Sequence, residues 1–268
     1  VVDPATFRLA EHSANGTVVG MVTFTDPDVG QSGTFSIIAG NTGGAFAIHP
    51  STGQLTVANS ATLDFETTPS FRLRVQVTDN GTPPLAGSAI ITVNLTNANE
   101  APTVTSAATV NFAESGSGTV YTAAATDPDA GTTLTYSISG ADASLFNINA
   151  TTGAVTFKSS PNYEAPGDAG GNNVYDINVI ASDGSLSSTK AVAISVTNVN
   201  EAPTITSGAA ASFTENASGT VYTAAATDVD AGTTLTYSIS GADAALFSID
   251  SVTGTVTFKS APNYEAPG

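Results

Sequence analysis

The eight residues NANEAPTV, Asn97 to Val104, return almost unchanged as NVNEAPTI, Asn198 to Ile205. At that offset Pro102 to Gly167 aligns with Pro203 to Gly268 without a gap, and GTVYTAAATD, DAGTTLTYSISGADA and PNYEAPG are shared word for word. The first part of the chain is a diverged copy: GTVVGMVTFTDPD aligns with GTVYTAAATDPD, and FAIHPSTGQLTV with FNINATTGAVTF. A self-similar period of about 100 residues argues for one unit built three times, over residues 1–100, 101–201 and 202–268, rather than one large fold.

Each copy reads as β. Thr17 to Phe24, Phe71 to Val77 and Ala89 to Leu95 alternate in polarity or carry β-branched residues at strand length. Turn signals separate them: Asp26-Pro27-Asp28, Gly43-Gly44, Ser51-Thr52-Gly53 and Asp79-Asn80-Gly81. No stretch of helical period is long enough to compete. About seven short strands per copy predict an all-β chain of tandem immunoglobulin-like Greek-key sandwiches joined end to end. The third copy lacks the counterparts of YDINVIASDG and AVAISVTNVNEAP, so its last two strands are expected either from a longer parent chain or from a neighbouring chain by strand donation.

Composition narrows the function. The chain has 23 acidic and 6 basic residues, a formal net charge of −17, and no cysteine. Such a chain repels phosphate backbones and anionic lipid headgroups, so no nucleic-acid partner and no membrane insertion are expected, while cations are favoured. Disulfides, thiolate metal sites and cysteine nucleophiles are excluded. The Val1-Val2-Asp3-Pro4 start has neither a basic nor an apolar leader, so the stretch is expected to be an internal fragment of a longer secreted chain.

The acids recur at matching places. Glu11, Glu114 and Glu215 follow the first strand; Asp127 and Asp129, then Asp228 and Asp230, end the second, as Asp26 and Asp28 do in the first copy. Asp64 and Glu66 precede the sixth strand, with Asn162 and Glu164 as counterparts, and Asp79 and Asp183 end that strand. Asn97, Asn99 and Glu100, then Asn198, Asn200 and Glu201, mark the boundaries. Alternate turns of a sandwich lie at the same end, so stacked copies should bring about six carboxylates and two asparagine carbonyls to each boundary. Unit charges ~4 Å apart repel by ~4 kcal/mol at an effective dielectric of ~20. A hard cation that takes 6–8 oxygens relieves this, and Ca²⁺ is the cofactor expected. No histidine is placed in the constellation, which argues against zinc and copper. Taken singly each acid is a solvated turn residue; recurrence of the set favours metal.

These motifs resemble tandem cadherin repeats, in the form common in large bacterial surface adhesins. The resemblance rests on Glu11, Asp127-Pro128-Asp129, Leu63-Asp64-Phe65-Glu66, Asn97-Ala98-Asn99-Glu100-Ala101-Pro102 and the FAIHPSTGQL turn, and it spans the chain. It implies calcium at the boundaries, held by neighbouring repeats and their linker. Asn97 and Asn198 stand where the boundary motif begins with Asp, and Asn162 and Asn263 replace the Asp of the L-D-X-E motif. Each swap removes a charge but keeps a carbonyl, so the second boundary should bind more weakly. Pro102 and Pro203 keep the preceding residue extended, and the linker is expected to stiffen with metal.

Catalysis has no support: there is no nucleophile elbow, phosphate loop or H-E-X-X-H motif. His12 aligns with Ser115 and Asn216, His49 with Asn149 and Asp250, and both histidines are read as surface residues. Asp142 is read as a surface residue and Ala165 to Asn173 as a flexible loop. Three functions remain open: a calcium-rigidified extracellular spacer or adhesion segment with homotypic contacts; a module that binds a surface glycan or protein receptor; and a polymer or sheath subunit completed by donated strands. The first is expected.

Overall fold

The computed structural model describes residues 1–28 and 30–266; Pro267 and Gly268, which end the second PNYEAPG and the expected third repeat, lie outside them. The first copy folds into seven strands: β1 (Ala5–Ala10), β2 (Val18–Met21), β3 (Gly33–Ala39), β4 (Phe46–Ile48), β5 (Gln54–Val57), β6 (Ser70–Asp79) and β7 (Ala86–Thr96). One sheet runs β1-β7-β6-β3 and the other β2-β5-β4. Alternation places the core: Phe71, Leu73, Val75 and Val77 of β6 point inward between outward Arg72 and Arg74, and Ile91, Val93 and Leu95 of β7 do the same. Each fully buried aliphatic side chain contributes about 1.5–3 kcal/mol. Phe46 meets Phe71 edge to face at 5.1 Å, and Phe24 meets Phe35 at 5.6 Å.

One pairing sets up the rest. Strand β1 lies parallel to β7, with Ala10 opposite Thr96. Both strands therefore finish at the same end, and Glu11 leaves β1 beside the linker that leaves β7.

The second copy contains β8 (Thr103–Val104), β9 (Thr109–Ala113), β10 (Thr119–Thr122), β11 (Ala125–Thr126), β12 (Thr135–Ser139), β13 (Phe146–Ile148), β14 (Ala154–Phe157), β15 (Val174–Ser182) and β16 (Ser187–Thr197). Its sheets run β12-β15-β16-β9 and β10-β14-β13, with β8 paired to β11. Strand β9 lies parallel to β16, with Ala113 opposite Thr197, which repeats the geometry around Glu114. Phe146, Phe157 and Tyr175 form an aromatic cluster in its core. The third copy contributes β17 (Thr204–Ile205), β18 (Thr220–Thr223), β19 (Ala226–Thr227), β20 (Phe247–Ile249) and β21 (Thr255–Phe258), in sheets β17-β19 and β18-β21-β20. Among the described residues it has no counterpart of the β12-β15-β16-β9 sheet, and Ile205, Leu246 and Val252 are exposed.

The chain forms two compact units. One comprises Val1–Ser106, Ala124–Ser137 and Ile180–Thr189; the other comprises Ala107–Ala123, Ile138–Val179 and the described residues from Lys190 onward. No described helix is long and apolar enough to cross a membrane.

Two expectations fail here. Asp142 is only 3% exposed: it accepts the N–H of Ala169 and of Asp176, both at 2.7 Å. The segment from Ala165 to Asn173 is consequently held rather than loose. Within it, Asp168 accepts the N–H groups of Asn172 and Asn173 at 3.0 Å. Burial pushes Asp168 up, but these N–H groups outweigh it and hold its carboxyl below the usual range. Backbone amides in this mostly exposed segment that turn away from water need acceptors, and two aspartates provide them.

The F-X-I-X-X-X-T-G turn repeats with a shared cap. His49 Nδ1 accepts the N–H groups of Ser51 and Thr52, as Asn149 Oδ1 does for Thr151 and Thr152, and Asp250 Oδ1 for Val252 and Thr253. Three residue types thus perform one task. Gly53 closes the turn at φ 71°, where an added Cβ would lie 2.3 Å from the carbonyl of Val22.

Candidate metal centres

Both centres grow from the turn after the first strand. His12, Ser115 and Asn216 occupy the left-handed region, at φ 55°, 55° and 58°. That conformation is costly for a residue with a Cβ and is held by backbone bonds: His12 N–H to Leu63 O at 3.0 Å, Ser115 to Pro161 at 2.9 Å, and Asn216 to Pro262 at 2.8 Å. The turn aims the preceding glutamate inward. Glu11 and Glu114 are each only 3% exposed. Glu11 accepts the N–H of Phe65 at 2.6 Å and of Ala98 at 2.8 Å. Glu114 accepts those of Tyr163 at 2.7 Å and Val199 at 2.8 Å. One carboxylate therefore ties the L-D-F-E or P-N-Y-E turn to the linker, and Glu215 repeats half of this with Tyr264 at 2.9 Å.

The first centre lies within the first unit. Glu11 groups with Asp64 and Glu66, and Glu66 groups with Glu100 and Asp129, each set offering one oxygen per residue within 4.8 Å of the others. Asp129 accepts the N–H of Glu100 at 2.9 Å and the Nδ2–H of Asn97 at 2.7 Å. Asn99 Nδ2 donates to Asp183 at 2.7 Å. Asp127 accepts the N–H of Asp129 at 2.9 Å, which orders the D-P-D turn. Asp64 accepts the N–H of Thr67 at 2.9 Å.

The second centre lies within the second unit. Glu114, Glu164 and Glu201 group within 4.8 Å. Asp230 accepts the N–H of Glu201 at 2.8 Å and donates its own to Asp228 at 2.9 Å. Asn198 Nδ2 donates to Glu164 at 3.1 Å. Asn200 turns back onto the carbonyl of Glu201 at 3.0 Å, and Asn162 accepts the N–H of Ala165 at 2.9 Å. Among the described residues neither asparagine side chain bonds to a carboxylate of the three glutamates, so the structure brings fewer of the expected residues together here.

Electrostatics marks both places. Loss of water, then the carboxylates of Glu11, Glu100 and Asp129, hold Glu66 above the usual carboxylate range. Loss of water and the charge of Glu114 do the same for Glu164, and with Glu164 for Glu201. The N–H of Leu186, with the amide of Asn99, lowers Asp183. Glu100 Oε2, Asp127 Oδ2 and Glu201 Oε2 are buried without a hydrogen-bond partner, and they are the only carboxylate oxygens so placed among the described residues. Buried acceptors left unsatisfied cost free energy. The donors that do meet these acids from side chains are mostly neutral asparagine amides. An all-oxygen set with spare buried lone pairs fits a hard divalent cation.

His12 departs from the sequence reading, which kept histidine out of the constellation. Its side chain is half exposed, but Nε2 lies 2.6 Å from Glu100 Oε1 and 3.9 Å from Glu11 Oε2. The bond to Glu100 raises the imidazole pKa. Nothing in the alignment signalled this, because Ser115 and Asn216 hold the same backbone without reaching the linker acid.

The chain is similar to known proteins in sequence and in fold. Residues 5–96 match the family model described as "Cadherin domain". Human "Protocadherin Fat 4" is 32% identical over 266 residues, covering 93% of this chain and 5% of its own length. The Drosophila melanogaster "Protocadherin-like wing polarity protein stan" is 35% identical over 273 residues, covering 93% of this chain and 7% of its own. The chain thus spans a small fraction of these relatives. Among solved structures, mouse Cadherin-23 EC22-24 superposes with a TM-score of 0.64 at 26% identity, covering 98% of this chain and 87% of that one. The protocadherin gammaB7 EC3-6 cis-dimer structure does so at 0.69 and 26%, covering 99% and 70%. Together with the repeated strand order and the matching acids, these similarities assign residues 5–96 to the cadherin-domain family and make the whole chain similar to tandem cadherin repeats, which are adhesion modules and not enzymes.

Proposed function

We propose that the chain is a calcium-rigidified segment of an extracellular adhesion protein, with repeats at 1–100, 101–201 and 202–268 and cations at the two boundaries. The observation that carries this is the convergence of linker, turn and strand-end carboxylates on buried, unpartnered oxygens of Glu100, Asp127 and Glu201. Glu11, Asp64, Glu66, Asn97, Asn99, Glu100, Asp127, Asp129 and Asp183 would hold the first boundary's ions. Glu114, Asn162, Glu164, Asn198, Asn200, Glu201, Asp228 and Asp230 would hold the second's. Ca²⁺ supplies the positive charge that lets these acids stay ionised side by side. Because Glu11 already binds the linker amide of Ala98, a cation there would couple the linker to the repeat that precedes it. The near-identity of the second and third copies suits the arrays of bacterial surface adhesins, and the gammaB7 cis-dimer neighbour supports homotypic contact as the mode of partnering.

The test is a thermal melt by circular dichroism in millimolar Ca²⁺, in Mg²⁺ and in chelator. Calcium at 100 times Kd should stabilise by about 2.7 kcal/mol per site. Identical melts in all three would reduce the acids to solvated turns.

A further inference from the structure

At the first boundary one ligand group is not all oxygen. His12 Nε2, one oxygen of Glu11 and one of Glu100 lie within 4.8 Å of one another, and none of the oxygen-only sets includes this nitrogen. We infer that His12, Glu11 and Glu100 form a site for a borderline divalent cation of the zinc class, which the second boundary cannot form. The inference goes beyond the calcium reading and does not need it, although the two share Glu11 and Glu100.

Three features support it. First, the spacing suits a small ion. Zn²⁺ binds imidazole nitrogen and carboxylate oxygen at about 2.0–2.2 Å in tetrahedral array, so its ligand atoms sit about 3.4 Å apart. The separations of 2.6 Å to Glu100 Oε1 and 3.9 Å to Glu11 Oε2 straddle that value. Zn²⁺ would take the place of the proton in the short His12–Glu100 bond, and that proton would leave to solvent. Second, two ligands are already placed. The Glu11 side chain has no exposed surface and is held by two backbone N–H groups, and His12 is fixed by its left-handed backbone and its bond to Leu63. Glu100 also retains a buried oxygen, Oε2, with no hydrogen-bond partner. Third, the half-exposed imidazole leaves the remaining coordination position open to water. Calcium takes oxygen ligands and gains nothing from the imidazole. At the second boundary Ser115 and at the third glutamate turn Asn216 stand where His12 does, so Glu114, Glu164 and Glu201 form an oxygen-only group.

The experiment is a Zn²⁺ titration of metal-stripped protein, followed by calorimetry and by ¹⁵N-resolved histidine side-chain NMR. The chain has 2 histidines, so His12 and His49 are readily told apart. The expected result is movement of the His12 ring resonances with the first equivalent, a Kd at least tenfold weaker in His12→Ser, and a new zinc site in Ser115→His. His12→Ser should fold, because Ser115 holds the same backbone angle in the second copy. Zinc that moves neither ring, moves His49 alone, or binds His12→Ser as tightly overturns the inference. A parallel Ca²⁺ titration separates the two readings. Calcium binding with a His12 silent to zinc overturns only the zinc site, and zinc at His12 without any calcium response overturns only the calcium reading.

Discussion

In the first acid cluster Glu11 groups with Asp64 and Glu66 on one side and with His12 and Glu100 on the other, and Asp129 joins Glu66 and Glu100. In the second, among the described residues, Glu114 groups with Glu164 and Glu201 and no fourth titratable ligand joins them. Yet the scaffold is the same: a left-handed residue after the glutamate, two backbone amides on its carboxylate, and a parallel pair of strands ending side by side. Asp64 and Asn162 show how the two can diverge. Each accepts one N–H of its own turn at 2.9 Å, so the turn survives the swap while one charge disappears. Turn-making and cation-binding are separable demands on one residue, and an asparagine meets the first while weakening the second.

The scaffold should respond alike at both clusters, and that is where the largest effect is expected. Glu11→Ala and Glu114→Ala each strand two amides beside a buried cavity, for a loss of about 2–4 kcal/mol. Urea denaturation in chelator measures it without any contribution from metal. A loss well below 1 kcal/mol at either position would mean that its carboxylate does not hold the linker.

The cation affinities should differ, and two exchanges sharpen that difference. Asp64→Asn should weaken calcium at the first cluster about tenfold, and Asn162→Asp should strengthen it at the second by a similar factor, about 1.4 kcal/mol each. Calorimetric titration of both variants gives the factors directly. If both leave affinity unchanged, the acid count does not distinguish the clusters.

Protons provide the smallest test. In chelator, the raised pKa values of Glu66, Glu164 and Glu201 mean that the fold binds protons more tightly than the unfolded chain does. Their stabilising contribution is full below the ordinary value of 4.5 and is lost as pH rises through the raised values. The melting temperature in chelator should therefore rise slightly as pH falls from 7 towards 5. Asp168 and Asp183, with lowered values, lose their contribution only at still lower pH. In saturating calcium the trend should reverse, because protons then compete with the ion. A calcium-saturated melt that also rises on acidification would separate these glutamates from the binding site.

Much of the site was legible in the primary structure because it repeats. The recurrence of Glu11 and Glu114, of Glu100 and Glu201, and of Asp129 and Asp230 singled them out, and the structure places each beside its expected partners. Three features were not legible. His12 was set aside because no copy repeats it, and Asp142 because nothing in its DAS context marks it as buried. His49 aligned with Asn149 and Asp250 but was read only as a surface residue, although all three accept the equivalent pair of turn amides. An alignment compares letters, whereas a hydrogen-bond acceptor can be an imidazole, an amide or a carboxylate.

By itself the sequence determined the all-β class, the internal repetition, and which acids recur at equivalent turns. These are local or periodic properties: alternation fixes the buried face of a strand, and repetition fixes equivalent turns. Tertiary structure decided which oxygens are already taken by backbone amides, which are left buried and unpartnered, and that His12 reaches Glu100 across 88 residues of chain. Those outcomes depend on the parallel pairing of β1 with β7, which returns the linker to the Glu11 turn. A contact between residues so distant in sequence leaves no mark on local pattern, since its geometry exists only once both strands are in the sheet.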